Sequence, residues 1–519
     1  MAQRVNLDAM IRREDFGVKG QEYTLDLFKD FPISNLEQGQ PIFRLLRKPD
    51  FQRETNHWSP EQIATFIESF VDNEVIPGLI LWKAPDLIFV LDGGHRLSAL
   101  RAWMEDDYGD GPITAAFYRG GISNDQKKAA KRARSLIEKR VGRYQTLRQV
   151  VGHPDSANSK TAQRATRAFT RSLSLQWVQG PAPVAESSFY KINSQGTPLD
   201  ATETTLNKNR RKPIAISARA ILRAGTGNKY WAVFPANRQA ELEERASEFF
   251  RLLFEPEADA PVKTLDLPLG GAVSPVDALS VLIEFLTIAG SPNPASPMTI
   301  ADYSDDETGE ETLSVLGRAL DVLNRVSGNS PGSLGLHPAV YFYNERGKHN
   351  RYLFLGITQL IAERVRNNDG GFFRKFSSVR EKLEKFLMDN KSWLSLLLTN
   401  MSRTQRISKT RDLFVYLVTT FNNGGSVTPE PAITSLGLKG RFFNIEDTQY
   451  RTKFSDDAKS MAFLEAATKS GLKCPICRGM LDPRKSVSYD HKQRIREGGT
   501  GEAGNAQLAH PYCNTAVRN

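Results

Sequence analysis

The chain has three cysteines in 519 residues, and all of them lie near the carboxyl end. Cys474-Pro-Ile-Cys477 is one pair, and His510-Pro-Tyr-Cys513 repeats its two-residue spacing. An odd number of cysteines confined to one end is not a disulfide framework. Four soft or borderline donors in two such pairs are what tetrahedral zinc prefers in a reducing compartment. The gap between the pairs, 478–509, exceeds the ~15–20 residues of a simple zinc ribbon, so it must house something. It contains Asp490-His491, then Gly498-Gly499, then Asn505, and Asn514 follows the last cysteine directly. Asp and Asn oxygens suit a hard cation such as magnesium. An imidazole at His491 can take a proton from water near neutral pH.

A second constellation lies far from the first. Asp92-Gly93-Gly94-His95-Arg96 follows an apolar run and precedes Leu97, Leu100 and Met104 at helical spacing. Backbone N–H groups and the positive end of a helix at such a junction favour an anion. Glycines allow close approach, so the turn is a candidate polyphosphate cradle. Strand-to-helix turns also use glycine for geometry alone.

The elements that position these residues are legible in outline. Ser59-Pro60-Glu61-Gln62 predicts a helix start with a capping box. Ile63, Phe66, Ile67, Phe70 and Val71 follow on one face. Leu79–Trp82 and Leu87–Leu91, separated by Pro85-Asp86, predict paired strands. From 226 to 423 the apolar spacing is helical, with stripes at Phe249–Phe254, Val281–Ile288, Leu313–Val326, Tyr352–Val365, Phe372–Leu387 and Leu413–Phe421. Residues 424–454 are expected to be a linker and 455–519 a last compact unit.

Composition bounds the class. The hydrophobic fraction is 40% and the charged fraction 25%, as in an ordinary globular protein rather than a disordered, collagen-like or membrane-embedded one. No apolar run approaches the ~18 residues of a membrane span, so no membrane partner is expected. The first sixteen residues carry no apolar core, so no secretory leader is expected and the expected location is cytoplasmic. The net charge of +10 favours a polyanionic partner. Between Arg119 and Arg171, fourteen Lys or Arg face only three acids. Such a run is either a solvated helix face or a phosphate-tracking surface.

The carboxyl-terminal pattern, Cys-x2-Cys, Asp-His, Gly-Gly, Asn and then x-x-Cys-Asn, resembles the zinc-supported HNH endonucleases, the ββα-metal nucleases. The resemblance implies that Asp490 and Asn514 bind a catalytic Mg²⁺ or Mn²⁺ and that His491 is the general base. It implies that Asn505 holds the loop carrying His491, and that Cys474, Cys477, His510 and Cys513 bind structural zinc. His510 stands where many members have a fourth cysteine, and Asn514 where some have histidine.

The amino-terminal part resembles the GmrSD-type domain, with its ParB/sulfiredoxin-like fold and Asp-Gly-Gln-Gln-Arg signature. The likeness rests on Asp50-Phe51-Gln52-Arg53, Trp58-Ser59-Pro60, Ile76-Pro77, the Asp92 turn and the Phe189–Leu199 segment. It implies binding, and often hydrolysis, of a nucleoside triphosphate, with GTP, ATP and CTP left open. Asp92, Gly93, Gly94, His95 and Arg96 would form the nucleotide turn and Arg53 a phosphate contact. Gly94 and His95 replace the signature's two glutamines.

The expected fold class is therefore an α+β multidomain chain. A ParB/sulfiredoxin-like nucleotide-binding domain spans 20–225, a helical bundle 226–423, a linker 424–454 and an HNH domain 455–519. The resemblances together imply a DNA nickase gated by a nucleotide- and DNA-sensing domain, a restriction-type effector against phage DNA, modified DNA included. A homo-oligomer or companion modification or defence proteins would be its further partners. Two alternatives stand beside it. One is a structure-selective or mobile-element nuclease without an immune role. The other is a nucleotide-switched, ParB-like DNA-binding regulator with an inert zinc tail.

Overall fold

Ser59 starts the first long helix as its sequence predicts. Its Oγ accepts from Gln62 N at 3.2 Å, and Gln62 Oε1 accepts from Ser59 N at 2.9 Å. This reciprocal cap is worth about 1 kcal/mol. The helix Pro60–Val71 buries Ile63, Ala64, Ile67, Phe70 and Val71. Phe66 is half-buried with its ring 5.5 Å from that of Trp58.

The computed structural model describes residues 4–16, 27–52, 54–153, 157–195, 201–258, 260–271, 275–437 and 454–517. The chain divides into two compact units. The first comprises Met1–Arg210 with Thr226–Tyr230, and the second Arg211–Gly225 with Trp231–Asn519.

The first unit is built on a mixed six-stranded sheet. Its strands are β1 (Arg13–Glu14), β2 (Asp30–Pro32), β3 (Leu46–Pro49), β4 (Leu79–Lys83), β5 (Ile88–Asp92) and β6 (Ser172–Val178), in the order β1-β3-β5-β4-β6-β2. β4 and β5 pair antiparallel, with Trp82 opposite Phe89, while β5 runs parallel to β3. β5 is buried at Ile88, Phe89, Val90 and Leu91. Its inward position in the sheet fixes where Asp92 emerges.

The second unit is mostly helical. Each apolar stripe read between 226 and 423 lies inside one of the helices Ala236–Phe254, Pro275–Ala289, Glu310–Val326, Arg351–Arg366, Gly370–Asp389 and Arg406–Asn422. Stacked and edge-on rings join three of them: Phe285 lies 6.2 Å from Phe249 and 5.7 Å from Phe354. A short helix, Pro429–Ser435, occupies part of the stretch read as a linker, and 438–453 lie outside the described residues. The helix Asp456–Lys469 precedes a small hairpin of β7 (Ser488–His491) and β8 (Ala506–Ala509), paired antiparallel. Among the described residues, no helix is long and apolar enough to cross a membrane.

A buried histidine, His337, and a half-buried one, His349, are expected to make this unit acid-sensitive. His337 Nδ1 accepts from Ala339 N at 3.2 Å, which requires a neutral ring, and His349 Nε2 lies 2.9 Å from Leu269 O. Burial, reinforced by Lys485, Lys391 and Arg380, lowers His337 to about 3. Burial lowers His349 to about 4 despite its hydrogen bond. Both folded values lie below the ordinary value of 6.5, so below that pH the unfolded chain takes up protons that the fold excludes. Their stability contribution is complete above pH ~6.5 and falls by about 1.4 kcal/mol per pH unit per ring as pH drops toward 4. Urea unfolding at half-unit pH steps is expected to show this slope, and substituting either histidine with asparagine should roughly halve it. A flat profile from pH 6.5 to 4.5 contradicts it.

Candidate metal centre and active-site hairpin

The ligand atoms of Cys474, Cys477, His510 and Cys513 all lie within 4.8 Å of one another, and all four residues are buried. Cys477 Sγ is 3.3 Å from His510 Nδ1, and Cys513 Sγ is 4.0 Å from it. His510 Nε2 donates to Met480 O at 3.0 Å. That bond places the ring proton on Nε2 and turns the Nδ1 lone pair toward the sulfurs, the second-sphere arrangement that metal-binding histidines use. Three thiols this close cannot all ionise alone. Hydrogen bonding to Cys477 and Cys513 holds Cys474 far below its usual range, while Cys474 in turn pushes Cys477 up to about 11 and Cys513 further. A divalent cation resolves that conflict. The donor set therefore fits zinc, and the cluster fits a zinc-binding HNH-type tail.

The tail is held by the helical part of its own unit. Arg380, on Gly370–Asp389, donates to Glu384 Oε1 at 2.6 Å, Leu334 O at 2.5 Å and Gly335 O at 2.8 Å. Glu384 accepts from Tyr341 Oη at 2.9 Å through Oε1 and from Met480 N at 2.7 Å through Oε2. Met480 is the residue whose carbonyl orients His510. A continuous path thus runs from a bundle helix to a zinc ligand. Ser333 and Ser486 are hydrogen-bonded at 3.0 Å, and Tyr512 N donates to Ser333 O at 3.0 Å. In sequence Phe372–Leu387 reads as a plain core stripe, which hides Arg380 and Glu384. The signal was present: both continue the spacing of Phe376, so two charges occupy the buried face.

The hairpin positions the second set. Antiparallel register sets Asp490 opposite Gln507 and His491 opposite Ala506. Gln507 Nε2 donates to Asp490 Oδ2 at 2.8 Å. Asn514, in the terminal turn Cys513–Val517, donates through Nδ2 to Ser488 Oγ at 2.7 Å and Tyr489 O at 3.2 Å. Its amide is thereby oriented and Oδ1 is the atom left for a cation. Ser488 and Asp490 share a strand face by alternation. One carboxylate oxygen and one amide oxygen suit a hard divalent ion. Asn505 ties the loop: its Oδ1 accepts from Gln493 N at 2.8 Å, and its Nδ2 donates to Gln493 O at 3.0 Å and Thr500 O at 2.8 Å. A Cβ on Gly499 would sit 1.9 Å from Gln493 O, so no side chain fits there.

In the first unit, β5 delivers Asp92 to the turn. Gly93 has φ +98°, a left-handed conformation, and a Cβ there would meet Leu79 Cδ2 at 2.3 Å. The helix Gly94–Glu105 follows at once. Arg96 turns back on its own turn, donating to Asp92 Oδ2 at 2.6 Å and Gly78 O at 3.1 Å. His95 stacks on Trp58 with ring centroids 5.6 Å apart and lies 6.1 Å from His57, whose Nε2 is 3.1 Å from Glu203 Oε1. Gln52 lies against Gly94, where a Cβ would be 3.3 Å from its Oε1. Arg53 lies outside the described residues.

Beneath the turn is a buried charge cluster that the sequence reading missed. Lys48 Nζ donates to Asp8 Oδ1 at 2.9 Å and Thr55 Oγ1 at 2.9 Å, and Arg13 Nη2 donates to Asp8 Oδ1 at 2.7 Å. Burial lowers Lys48 to about 8, while Arg13 and Lys48 hold Asp8 well below its usual value against its own burial. Alternation from buried Leu46 already placed Lys48 on the inner face of β3.

Many arginines of the basic run are taken up in ion pairs. Arg132 pairs with Glu61, Arg134 with Asp110 at 2.7 Å, Arg140 with Glu68 at 3.7 Å, Arg148 with Glu37 at 3.5 Å, and Arg164 with Asp72. The partners come from outside the run. Lys127, Lys131, Lys139 and Lys160 remain exposed.

Residues 30–210 match the family model described as GmrSD restriction endonuclease, N-terminal domain. No curated protein and no solved structure matches the chain.

Replacing Glu384 with alanine leaves Arg380 buried without its carboxylate and Met480 N without an acceptor. The expected cost is about 3–5 kcal/mol of stability, with zinc transfer to a chelator about 10–100-fold faster. Chelator competition and denaturant melts of the full chain check both. Unchanged zinc transfer would show that the path does not support the metal.

Proposed function

We propose that the chain is a restriction-type DNA endonuclease in which a Mg²⁺-dependent HNH hairpin nicks DNA and an amino-terminal GmrSD-type domain senses DNA and a nucleoside triphosphate. The observation that carries the reading is the hairpin: Asp490 and His491 stand on β7, the amide of Asn514 is bonded to the same strand, and the buried Cys3His cluster adjoins the end at Ala509. The matched family is described as a restriction endonuclease, which supports DNA as the substrate.

The roles follow from chemistry. His491 takes the proton from the water that attacks phosphorus. Asp490 and Asn514 would hold a divalent cation, whose chemistry there would be to offset charge on the phosphate and on the leaving 3′ oxygen. Gln507 orients Asp490, and Asn505 keeps the loop after His491 in place. The zinc ligands take no part in the reaction, since all four donors are committed to one another. One such hairpin cuts one strand. In the amino-terminal unit, the proposed nucleotide turn is Asp92, Gly93, Gly94, His95 and Arg96. Left-handed Gly93 and the helix start beside it support an anion there. The Arg96–Asp92 pair would have to open, or to stay a structural strut, when nucleotide binds.

His491→Ala is expected to lower plasmid nicking about 10²–10⁴-fold with zinc stoichiometry unchanged. Asp490→Ala should likewise abolish the response to Mg²⁺. Nicking is measured with each nucleoside triphosphate in turn, on modified and unmodified DNA, and Asp92→Ala should remove any nucleotide response. If no metal supports nicking but DNA is bound tightly and salt-sensitively, the chain is a regulator. Phage plating with His491→Ala separates defence from other nuclease roles.

A further inference from the structure

Tyr489 sits between the residues given roles above and has none itself. It is 75% exposed, whereas Ser488, Asp490 and His491 on the same strand are half-buried. Its cross-strand partner is Leu508, which packs against the cluster of Cys474, Cys477 and Cys513. Its backbone oxygen accepts from Asn514 Nδ2 at 3.2 Å, so its place is fixed by the same side chain that would hold the cation. Strand alternation puts its ring on the face that carries His491. Ile495, on the loop tied by Asn505, is 71% exposed.

The surroundings indicate what covers the ring. From 484 to 496 the chain carries Arg484, Lys485, Lys492, Arg494 and Arg496 against Asp490 alone; Arg484 and Lys485 pair with Asp266, so the cations that bear on the ring are Lys492, Arg494 and Arg496, which follow it within seven residues. A basic segment with an outward aromatic in its middle matches a polyanion that also has flat, stackable faces. That combination is a nucleic acid strand: the cations follow phosphates, and the ring stacks on a base or packs on a sugar.

We propose that Tyr489 is a substrate-contacting residue whose ring packs on a nucleotide flanking the scissile phosphate and so sets which bond His491 faces. This rests on the nuclease reading and adds to it a residue that the metal and proton chemistry do not require.

The test uses the full chain with Tyr489→Ala, Tyr489→Phe and Tyr489→Trp, and Arg496→Ala for comparison. Binding of a labelled duplex and a labelled single strand is followed by anisotropy across a salt series, and nicking is followed in parallel. Tyr489→Ala is expected to raise Kd and KM about ten-fold, with zinc content and the slope of log K against log salt unchanged. Phe should stay within about two-fold of wild type and Trp should equal or exceed it, since the face of the ring does the work. Arg496→Ala should flatten the salt slope instead. A fluorescent base analogue placed beside the cut site should be quenched by wild type and not by Tyr489→Ala. Wild-type affinity and unchanged cut position in Tyr489→Ala overturn the proposal. So does an equal loss in Phe, which would assign the hydroxyl rather than the ring. A change in oligomeric state in Tyr489→Ala would also overturn it, by assigning the ring to a second copy. If wild type does not nick, the nuclease reading fails, and quenching still decides whether Tyr489 meets a nucleotide.

Discussion

The second unit depends on a buried charge pair on one helix. Arg380 and Glu384 are four residues apart and both are nearly inaccessible, with side chains 1% and 9% exposed. Removing two such charges from water costs several kcal/mol, and the pair is tolerated only because every strong polar atom finds a partner. Arg380 closes on Glu384 and on the Leu334 and Gly335 carbonyls, and Glu384 closes on Arg380, Tyr341 and Met480. A greasy pair could fill the same volume. It could not grip the peptide of Met480, which is the group that sets the tautomer of His510. The cost of burial is offset by position. Gly479 shows how close the fit is: a Cβ there would lie 2.3 Å from Arg380 Nε, so the knuckle accepts only glycine at that point.

The same economy of contacts governs the hairpin. Two four-residue strands are marginal alone. The pair is closed at one end by the metal ligands His510 and Cys513 and at the other by Asn505, which bonds both backbone atoms of Gln493. Gly498, at φ +84°, and Gly499, where a Cβ would collide with Gln493 O, turn the loop between them. Asp490, His491 and Asn514 are therefore carried on backbone that is determined by polar contacts at three points and by very little apolar core. The hydrophobic cluster here is small and built largely of the cysteines themselves, with Leu481 and Ala509. A zinc bound by this cluster would do the work that a core does elsewhere.

What the sequence disclosed follows from which interactions are local. The helix start at Ser59, the strands before Asp92 and the two Cys/His pairs are set by residues within a few positions of one another, and they were legible. The zinc set was readable because soft donors at two-residue spacing have few other uses. The Asp8–Arg13–Lys48 cluster was not, because its members are 5 and 40 residues apart along the chain. The path from Arg380 to His510 joins segments separated by about a hundred residues, and nothing local announces it except two charges on an apolar stripe. The basic run stayed open between two readings for the same reason. Counted along the chain it has few acids, yet Glu37, Glu61, Glu68, Asp72 and Asp110 fold back onto its arginines. A charge run becomes a candidate phosphate surface only after its tertiary partners are subtracted, and here that leaves mainly lysines.

On the proposed reading, two metals with opposite preferences lie within a few residues of each other, and the protein must keep them apart. Cys513 belongs to one set and Asn514 to the other. Ligand chemistry provides the first separation: thiolates and a neutral imidazole select zinc, while a carboxylate and an amide oxygen select a hard ion. Exposure provides the second. The four soft donors are at most 7% exposed, so the zinc is locked in as the tail folds. Asp490 and Asn514 are half-buried, open to an ion that comes and goes with substrate. The turn Cys513–Val517 converts one setting into the other within a single residue: Cys513 faces inward to the sulfur cluster, and Asn514 faces β7. A shift of register by one position would exchange them and destroy both sites. That is why the turn is held from both sides, by Asn514 N to His510 O at 3.0 Å and by Thr515 Oγ1 to Pro331 O at 2.6 Å.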